Sequence, residues 1–328
     1  MSEDHPVREY AVEPVGVTRA ALGEGPCWDA ASGTLLWVDI PAGRVHRTDP
    51  ATGATSTTQL TPPVSAVLPV AAGGLVLGCG QRVTVLTPDG ASREVTQITA
   101  DPAIRFNDAK ADPRGRLWIG SMHTARKPGT ATLYRLDPGT PGTSNTAGTP
   151  GTPEPVLTAV IDGVTISNGL GWSPDGRAMY YIDTPTLRVD VLDYDLATAS
   201  AANRRPLVDV SDTGGRPDGL TVDADGCVWV ALIGGGALHR YTPDGRLDTA
   251  VPLPVSHPTS CAFGGPGLRE LFVTTASEPL SQTELRSQPL AGRLLRLRPG
   301  PAGLVPALVT GMPEDAPDAR GAGEARPM

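Results

Sequence analysis

The sequence has few lysines, few cysteines and no long apolar run. Its 328 residues include only two lysines, Lys110 and Lys127, so Schiff-base chemistry has few candidates. No apolar stretch approaches the roughly 18 residues that a membrane-spanning helix needs. The four cysteines lie far apart and form no C-x-x-C pair, so we expect free thiols and neither a zinc finger nor a disulfide framework.

The sequence also lacks the short motifs of several enzyme classes. It contains no G-x-S-x-G, no H-E-x-x-H, no P-loop and no G-x-G-x-x-G after a predicted strand. The net charge of −8 and the pI of about 5.1 disfavour nucleic acid or an anionic membrane as a partner. The polar residues 1–13 do not resemble a signal peptide, and with free thiols this predicts a cytoplasmic protein. The oligomeric state stays open.

A weak repeat is the most informative feature that is present. The chain is rich in turn formers, with 39 glycines and 34 prolines. In each repeat an Asp- or Gly-rich turn precedes a short apolar stretch with a large residue at its centre. These anchors are Trp37, Leu77, Trp118, Tyr181, Trp229 and Phe272, at intervals of 40, 41, 63, 48 and 43 residues. Such spacing is typical of a β-propeller with one four-stranded blade per repeat.

The one long interval contains a run of Gly, Thr and Pro at 138–155, which predicts a surface insertion. We therefore predict an all-β protein with a six-bladed β-propeller over 13–311. Residues 1–12 form an N-terminal extension, and 312–328 are predicted to be a disordered tail. The last strand-like segment, Arg293–Leu297, is expected to share a sheet with an N-terminal strand and so close the ring.

One polar residue precedes each anchor by 11 to 13 positions, where the innermost strand of each blade should begin. The six residues are Glu24, Ser65, Asn107, Asn168, Asp218 and Ser260. Because innermost strands line the central channel of a propeller, these side chains should meet at one mouth of that channel.

Glu24, Asn168 and Asp218 offer two carboxylates and an amide oxygen. That set suits one hard divalent cation in the central channel, with Ca²⁺ expected first and Mg²⁺ or Mn²⁺ as alternatives. Zn²⁺ is also open, although it prefers His and Cys. Buried carboxylates without a cation would repel each other.

Each of these residues also has a purely structural interpretation. Asp218-Gly219 and Asn168-Gly169 are pairs typical of turns, and Glu24 is compatible with a solvated loop. Asp108 follows Asn107 directly, so strand alternation predicts that its side chain points away from the channel. The shared phase in the repeat favours the functional interpretation for the group as a whole.

Other candidates lie near these positions. Arg105 shares the face of Asn107 along its strand and is suited to binding a substrate oxygen. His123 follows the Trp118 strand and is also a candidate for substrate binding. His46 and His239 fall in predicted third strands, where a structural role is expected.

The sequence resembles the SMP-30/gluconolactonase/luciferin-regenerating-enzyme family over residues 10–311. The matching segments are Leu22-Gly23-Glu24-Gly25-Pro26, Arg105-Phe106-Asn107-Asp108, Gly120-Ser121-Met122, Ile166-Ser167-Asn168-Gly169-Leu170, Tyr194-Asp195-Leu196, Asn203-Arg204-Arg205, Pro217-Asp218-Gly219-Leu220 and Thr259-Ser260-Cys261-Ala262-Phe263-Gly264-Gly265. The resemblance implies a six-bladed propeller with one divalent metal in its channel. It assigns the metal to Glu24, Asn168 and Asp218, and substrate oxygens to Arg105 and Asn107.

The chain departs from that family after Met122. Members that act on aldonolactones often carry an acidic residue there, whereas this chain continues His123-Thr124-Ala125-Arg126-Lys127. This difference bears on the preference for a sugar substrate.

The site residues and the resemblance give the first hypothesis, a metal-dependent lactonase that opens a sugar lactone to an aldonic acid, with Asp218 as general base. The alternatives are hydrolysis of a non-sugar lactone or a phosphoester by the same site, and a non-catalytic binding propeller.

Overall fold

The described residues form six four-stranded antiparallel sheets. The structure, a computed structural model, describes residues 7–99, 101–137, 155–278 and 280–312. The first strand along the chain is β1 (Glu13–Arg19). Blade 1 contains β2 (Gly23–Asp29), β3 (Thr34–Asp39), β4 (Arg44–Thr48) and β5 (Thr55–Gln59). Blade 2 contains β6 (Val64–Pro69), β7 (Leu75–Cys79), β8 (Arg82–Leu86) and β9 (Ser92–Gln97).

The remaining blades repeat this pattern. Blade 3 contains β10 (Ile104–Ala111), β11 (Leu117–His123), β12 (Ala131–Asp137) and β13 (Val156–Val164). Blade 4 contains β14 (Ser167–Trp172), β15 (Ala178–Asp183), β16 (Arg188–Asp195) and β17 (Ser200–Asp209). Blade 5 contains β18 (Arg216–Val222), β19 (Val228–Ile233), β20 (Ala237–Tyr241) and β21 (Leu247–Pro252). Blade 6 contains β22 (Pro258–Gly264), β23 (Glu270–Thr275), β24 (Arg293–Leu297) and β1. The prediction of an all-β six-bladed propeller is confirmed.

The ring closes between the two ends of the chain, as expected. Strand β1 pairs antiparallel with β24, and Glu13 lies opposite Arg296. A carboxylate oxygen of Glu13 accepts a hydrogen bond from Arg296 Nη2 at 2.9 Å. An N-terminal strand thus completes the sheet formed by the last three strands, which ties blade 6 to both termini.

The first strands of the six blades lie innermost. Each of β2, β6, β10, β14, β18 and β22 contacts the first strands of both neighbouring blades, so together they line the central channel. The predicted anchors fill the layers between blades, since Trp37, Trp118, Tyr181 and Trp229 are at most 1% exposed. Their role as sheet packing is confirmed.

Little of the described chain is helical. One α-helix, α1 (Gln282–Ser287), begins at a capping box formed by Ser281 and Glu284. No described helix has the length and apolar character needed to cross a membrane. The cysteines Cys27, Cys79, Cys227 and Cys261 are all free thiols, as predicted. The predicted insertion at 138–155 and the predicted tail at 312–328 lie outside the described residues, apart from residues 155 and 312.

Candidate active site in the central channel

All six inner strands carry a register irregularity at the level of the predicted polar residues. The irregularities lie between Glu24 and Cys27, Val64 and Ala66, Phe106 and Ala109, Ser167 and Leu170, Pro217 and Leu220, and Pro258 and Ser260. A β-bulge inserts an extra residue and changes the direction of the side chains around it. The six predicted residues therefore lie on or beside bulges at one level of the channel.

Glycines next to two of the predicted residues allow the inner strands to approach closely. A Cβ at Gly219 would overlap the Ser260 side chain of the next blade. A Cβ at Gly169 would lie 2.8 Å from the carbonyl oxygen of Asp218. Both glycines lie within strands, so neither Asn168-Gly169 nor Asp218-Gly219 is a turn.

The structure brings the three predicted metal ligands into one electrostatic group. Glu24 is 9% exposed, and Asn168 and Asp218 are each 5% exposed. Burial, followed by the charges of Asp218 and Asp108, raises the pKa of Glu24 well above its ordinary value. Burial and the charge of Asp108 raise the pKa of Asp218 to about 8, while the nearby Asn168 side chain acts in the opposite direction. Because Glu24 and Asp218 are buried in the same site, it is unfavourable for both carboxyl groups to be ionised at once.

The amide of Asn168 is held in one orientation by Thr184, which sequence reasoning missed. Asn168 Nδ2 donates to Thr184 Oγ1 at 2.9 Å, and Thr184 Oγ1 donates to the carbonyl oxygen of Pro217 at 2.9 Å. Because the amide nitrogen is committed to Thr184, the amide oxygen faces away from it. The only sequence signal was the position of Thr184, immediately after the strand that contains Tyr181.

Arg105, Asn107 and Asn168 form a hydrogen-bonded chain beside the carboxylates. Arg105 Nη1 donates to Asn107 Oδ1 at 2.9 Å and to the carbonyl oxygen of Phe106 at 2.7 Å. Asn107 Nδ2 donates to Asn168 Oδ1 at 3.1 Å and to the carbonyl oxygen of Ser167 at 2.9 Å. Burial lowers the pKa of Arg105 to about 10, partly offset by the charge of Glu24. Arg105 and Asn107 therefore share one face, as predicted.

The structural interpretation of Asp108 is wrong. Asp108 is 8% exposed and lines the channel, because the bulge between Phe106 and Ala109 breaks the strand alternation that the prediction assumed. Burial raises its pKa, and the charge of Lys110 acts against that shift. Asp108 and Lys110 also line a cavity of about 290 Å³, where the inner strands continue past the site.

His123 has a different setting from the other predicted residues. It is the last residue of β11 and is buried, and its Nδ1 accepts a hydrogen bond from the backbone of Ala125 at 2.9 Å. His123 therefore supports the turn that follows β11 and leads to Arg126. The expected structural role of His46 fits its burial between Trp37 and Thr57, and burial lowers its pKa to about 4.

Arg126 and Arg216 are two residues near the site that sequence reasoning missed. Both side chains are exposed. The charges of both lower the pKa of Asp218, and the charge of Arg126 also lowers the pKa of Arg105. Their only sequence signal was proximity, since Arg216 precedes Asp218 by two residues and Arg126 follows the Gly120-Ser121-Met122 segment.

Comparison with known proteins identifies the family of this chain. The family model described as "SMP-30/Gluconolactonase/LRE-like region" matches residues 22–277. The chain belongs to this family. Regucalcin of Xenopus laevis is 35% identical to this family member over 88% of this chain and 95% of its own length. The Bacillus subtilis protein named "Putative sugar lactone lactonase YvrE" is 34% identical over 84% of this chain and 91% of its own length.

Solved structures agree with the family and the fold. A luciferin-regenerating enzyme superposes on this family member with a TM-score of 0.81 and 30% identity, covering 92% of this chain and 99% of that one. A protein described as a calcium-binding regucalcin from Agrobacterium tumefaciens gives a TM-score of 0.83 and 27% identity, covering 93% and 99%.

The donor set of this family member suits a hard divalent cation. Within the ranges that the structure describes, no group of three or more His, Cys, Asp and Glu side chains is placed to hold a metal. Glu24 and Asp218 supply two carboxylates, and Asn168 would add an amide oxygen. Neither carboxylate makes an ion pair with a basic side chain in the described part of the chain. Buried oxygen donors of this kind fit Ca²⁺, Mg²⁺ or Mn²⁺ better than Zn²⁺.

Proposed function

We propose that this protein is a divalent-cation-dependent lactonase that opens a sugar lactone to a hydroxy acid. The observation that carries the proposal is the pair of buried carboxylates, Glu24 and Asp218, which lie beside an oriented amide and form no ion pair within the described residues. Membership of the family and the likeness to the protein named "Putative sugar lactone lactonase YvrE" support this reaction class. The likeness to regucalcins supports calcium as the first cation to test.

Glu24, Asn168 and Asp218 would hold the cation. When bound, a divalent cation polarises the lactone carbonyl and lowers the pKa of a water molecule. Thr184 contributes by fixing the orientation of the Asn168 amide, because its hydroxyl accepts from the amide nitrogen; the amide oxygen accepts one hydrogen bond from Asn107 and keeps a second lone pair for the cation. Asn107 connects Asn168 to Arg105 through its own amide, so it positions both side chains.

Asp218 is the proposed general base. Its carboxylate accepts a proton from the attacking water, whose oxygen forms a bond to the carbonyl carbon. The bond between that carbon and the ring oxygen then breaks, and the proton passes to the ring oxygen, which leaves as a hydroxyl group. Arg105 donates to the carbonyl oxygen as negative charge develops there, because its Nη2 and Nε make no hydrogen bond to any residue that the structure describes.

The positions of Arg105, Asn107 and Asp218 support the channel mouth as the proposed binding site for a small-molecule lactone. His123 is part of the proposed substrate site through the turn that it supports beside Arg105. The proposal includes a cytoplasmic location, for which the four free thiols are the support.

The test is proton release from a panel of lactones by protein treated with chelator and resupplied with Ca²⁺, Mn²⁺, Mg²⁺ or Zn²⁺. We expect hydrolysis to disappear on chelation and to return with at least one of these cations. Aryl phosphotriesters form a second panel for the alternative chemistry. Full activity in the chelated protein would remove the cation from the proposal, and hydrolysis of phosphotriesters alone would replace the reaction class.

A further inference from the structure

Three arginines lie at the mouth of the channel: Arg105, Arg126 and Arg216. Arg105 lies two residues before Asn107 in β10, and Arg216 lies two residues before Asp218 in β18. Arg126 lies in the turn after β11. In the described part of the chain these three arginines form no ion pair with an acidic side chain, whereas Arg188, Arg204 and Arg240 each form at least one.

The turn that carries Arg126 is fixed against the start of β10. The backbone of Thr124 donates to the carbonyl oxygen of Ala103 at 2.7 Å, and the backbone of Arg126 donates to that of His123 at 2.7 Å. Arg126 has φ of 53°, a left-handed conformation that residues with a Cβ rarely adopt. Because Ala103 lies two residues before Arg105, this turn keeps Arg126 next to the Arg105 side of the mouth.

Both exposed arginines act on the site through their charges. Arg126 influences Asp218 and Arg105, and Arg216 influences Asp218 and His257. The acidic groups that face this region are Glu24 and Asp218, which are the proposed carboxylate ligands, and in addition Asp108 and Glu284. Asp108 lies deeper, with Lys110 acting on it, and Glu284 acts on His257.

A divalent cation would balance the charges of Glu24 and Asp218. The three guanidinium groups would then leave the mouth with a net positive charge. This positive charge would not attract a neutral lactone, whereas it would attract a lactone that carries a negatively charged substituent.

We propose that Arg126 and Arg216 select a lactone that carries an anionic substituent, a carboxylate or a phosphate, away from the ring carbonyl, while Arg105 contacts the carbonyl oxygen. This inference rests on the proposed function, because it names the substrate class of the same site. Arginine suits both groups, since its planar guanidinium can donate two parallel hydrogen bonds to either.

The test compares D-glucono-1,5-lactone with its 6-phosphate and with D-glucaro-1,4-lactone at low and high salt. We expect kcat/KM for at least one anionic lactone to exceed that for the neutral lactone about tenfold at 20 mM salt, and the ratio to fall at 0.5 M. The better of the two anionic lactones identifies phosphate or carboxylate as the group recognised.

Two variants and a control locate the effect. Arg126→Gln and Arg216→Gln should each lower kcat/KM for the preferred anionic lactone at least fivefold more than for the neutral one. Arg177→Gln changes an exposed arginine in the turn between β14 and β15, and it should leave the ratio unchanged. Binding of 6-phosphogluconate, glucarate and gluconate, measured by calorimetry with and without cation, gives a second readout that does not depend on turnover.

The outcomes separate this inference from the proposed function. Hydrolysis of all three lactones with equal kcat/KM would overturn the inference and leave the lactonase intact. Tight binding of an anionic product that depends on Arg126, without hydrolysis of any lactone, would support the anion site and overturn the lactonase. Equal binding of gluconate, whose single charge is the carboxylate formed by ring opening, and of 6-phosphogluconate and glucarate, which carry a second anionic group, would overturn the anion site on its own.

Discussion

Replacing Asp218 with asparagine should stabilise the cation-free protein while it abolishes activity. The carboxylate is buried, and its pKa is raised to about 8. In the unfolded chain the pKa of an aspartate is about 3.9, so ionising Asp218 in the folded state costs at most about 5 kcal/mol at pH 8. An asparagine removes that cost but leaves a buried amide with incomplete hydrogen bonding, which costs about 1 to 3 kcal/mol. We therefore expect a net gain of at most about 2 to 4 kcal/mol at pH 8.

The pH dependence identifies the cause. A carboxyl group whose folded pKa is raised leaves stability unaffected below its unfolded pKa, and it lowers stability progressively as pH rises toward the folded pKa. The cation-free wild type should therefore lose stability between about pH 4 and pH 8 relative to Asp218→Asn. Urea unfolding of both proteins after chelation, at pH 4, 6 and 8, measures the difference. Added Ca²⁺ should raise the stability of the wild type at pH 8 and leave the variant almost unchanged.

Asp190→Asn is the matched control. Asp190 is a buried carboxylate, but Arg188 and Arg204 each contact it at 2.6 Å. The same substitution there removes both ion pairs and should destabilise the protein by roughly 2 to 4 kcal/mol. If Asp218→Asn also destabilised the cation-free protein at pH 8, the carboxylate would already be compensated and the argument for a cation would lose its basis.

Three further substitutions test the parts around the carboxylates. Thr184→Val should release the Asn168 amide and weaken Ca²⁺ binding, measured by calorimetry, about 10- to 100-fold, while unfolding free energy changes by about 1 kcal/mol. Gly219→Ala should destabilise the protein by roughly 2 kcal/mol or more in urea unfolding, because its Cβ overlaps Ser260; an unchanged midpoint would mean that the blades can separate there. Arg105→Lys keeps the charge but not the forked geometry, so kcat should fall at least tenfold; a change in KM alone would assign Arg105 to ground-state binding.

The fold could be predicted from the sequence because every blade repeats the same local sequence pattern. A turn, a buried anchor such as Trp118 or Trp229, and a third strand recur at similar spacing, and each blade buries its anchor against its neighbours. The phase of that repeat also located the first strand of each blade, and with it Glu24, Asn168 and Asp218. The expected pairing of the last strand-like segment, Arg293–Leu297, with an N-terminal strand is the pairing of β24 with β1.

The details of the site were less accessible, because they depend on contacts between blades. Thr184 acts on Asn168 across the gap between two strands of blade 4 and reaches the backbone of blade 5, and no local pattern encodes that. Arg126 lies on a turn of blade 3 and Arg216 at the start of β18 in blade 5, and only the ring brings their charges to one mouth. The absence of an acidic residue after Met122 indicated that this part of the site differs from that of other family members, but it did not identify Arg126 as a residue near the site.

Asp108 shows why strand alternation fails at this level of the channel. A regular strand would direct Asn107 and Asp108 to opposite sides, and one of them would be lost to the site. The bulge in β10 lets Asn107 contact Asn168 while Asp108 also lines the channel and raises the pKa of Asp218. Since all six inner strands carry an irregularity at this level, the propeller gains polar groups in its channel without adding strands. The cost is a layer of buried charge, and a bound cation is the simplest group that would balance it.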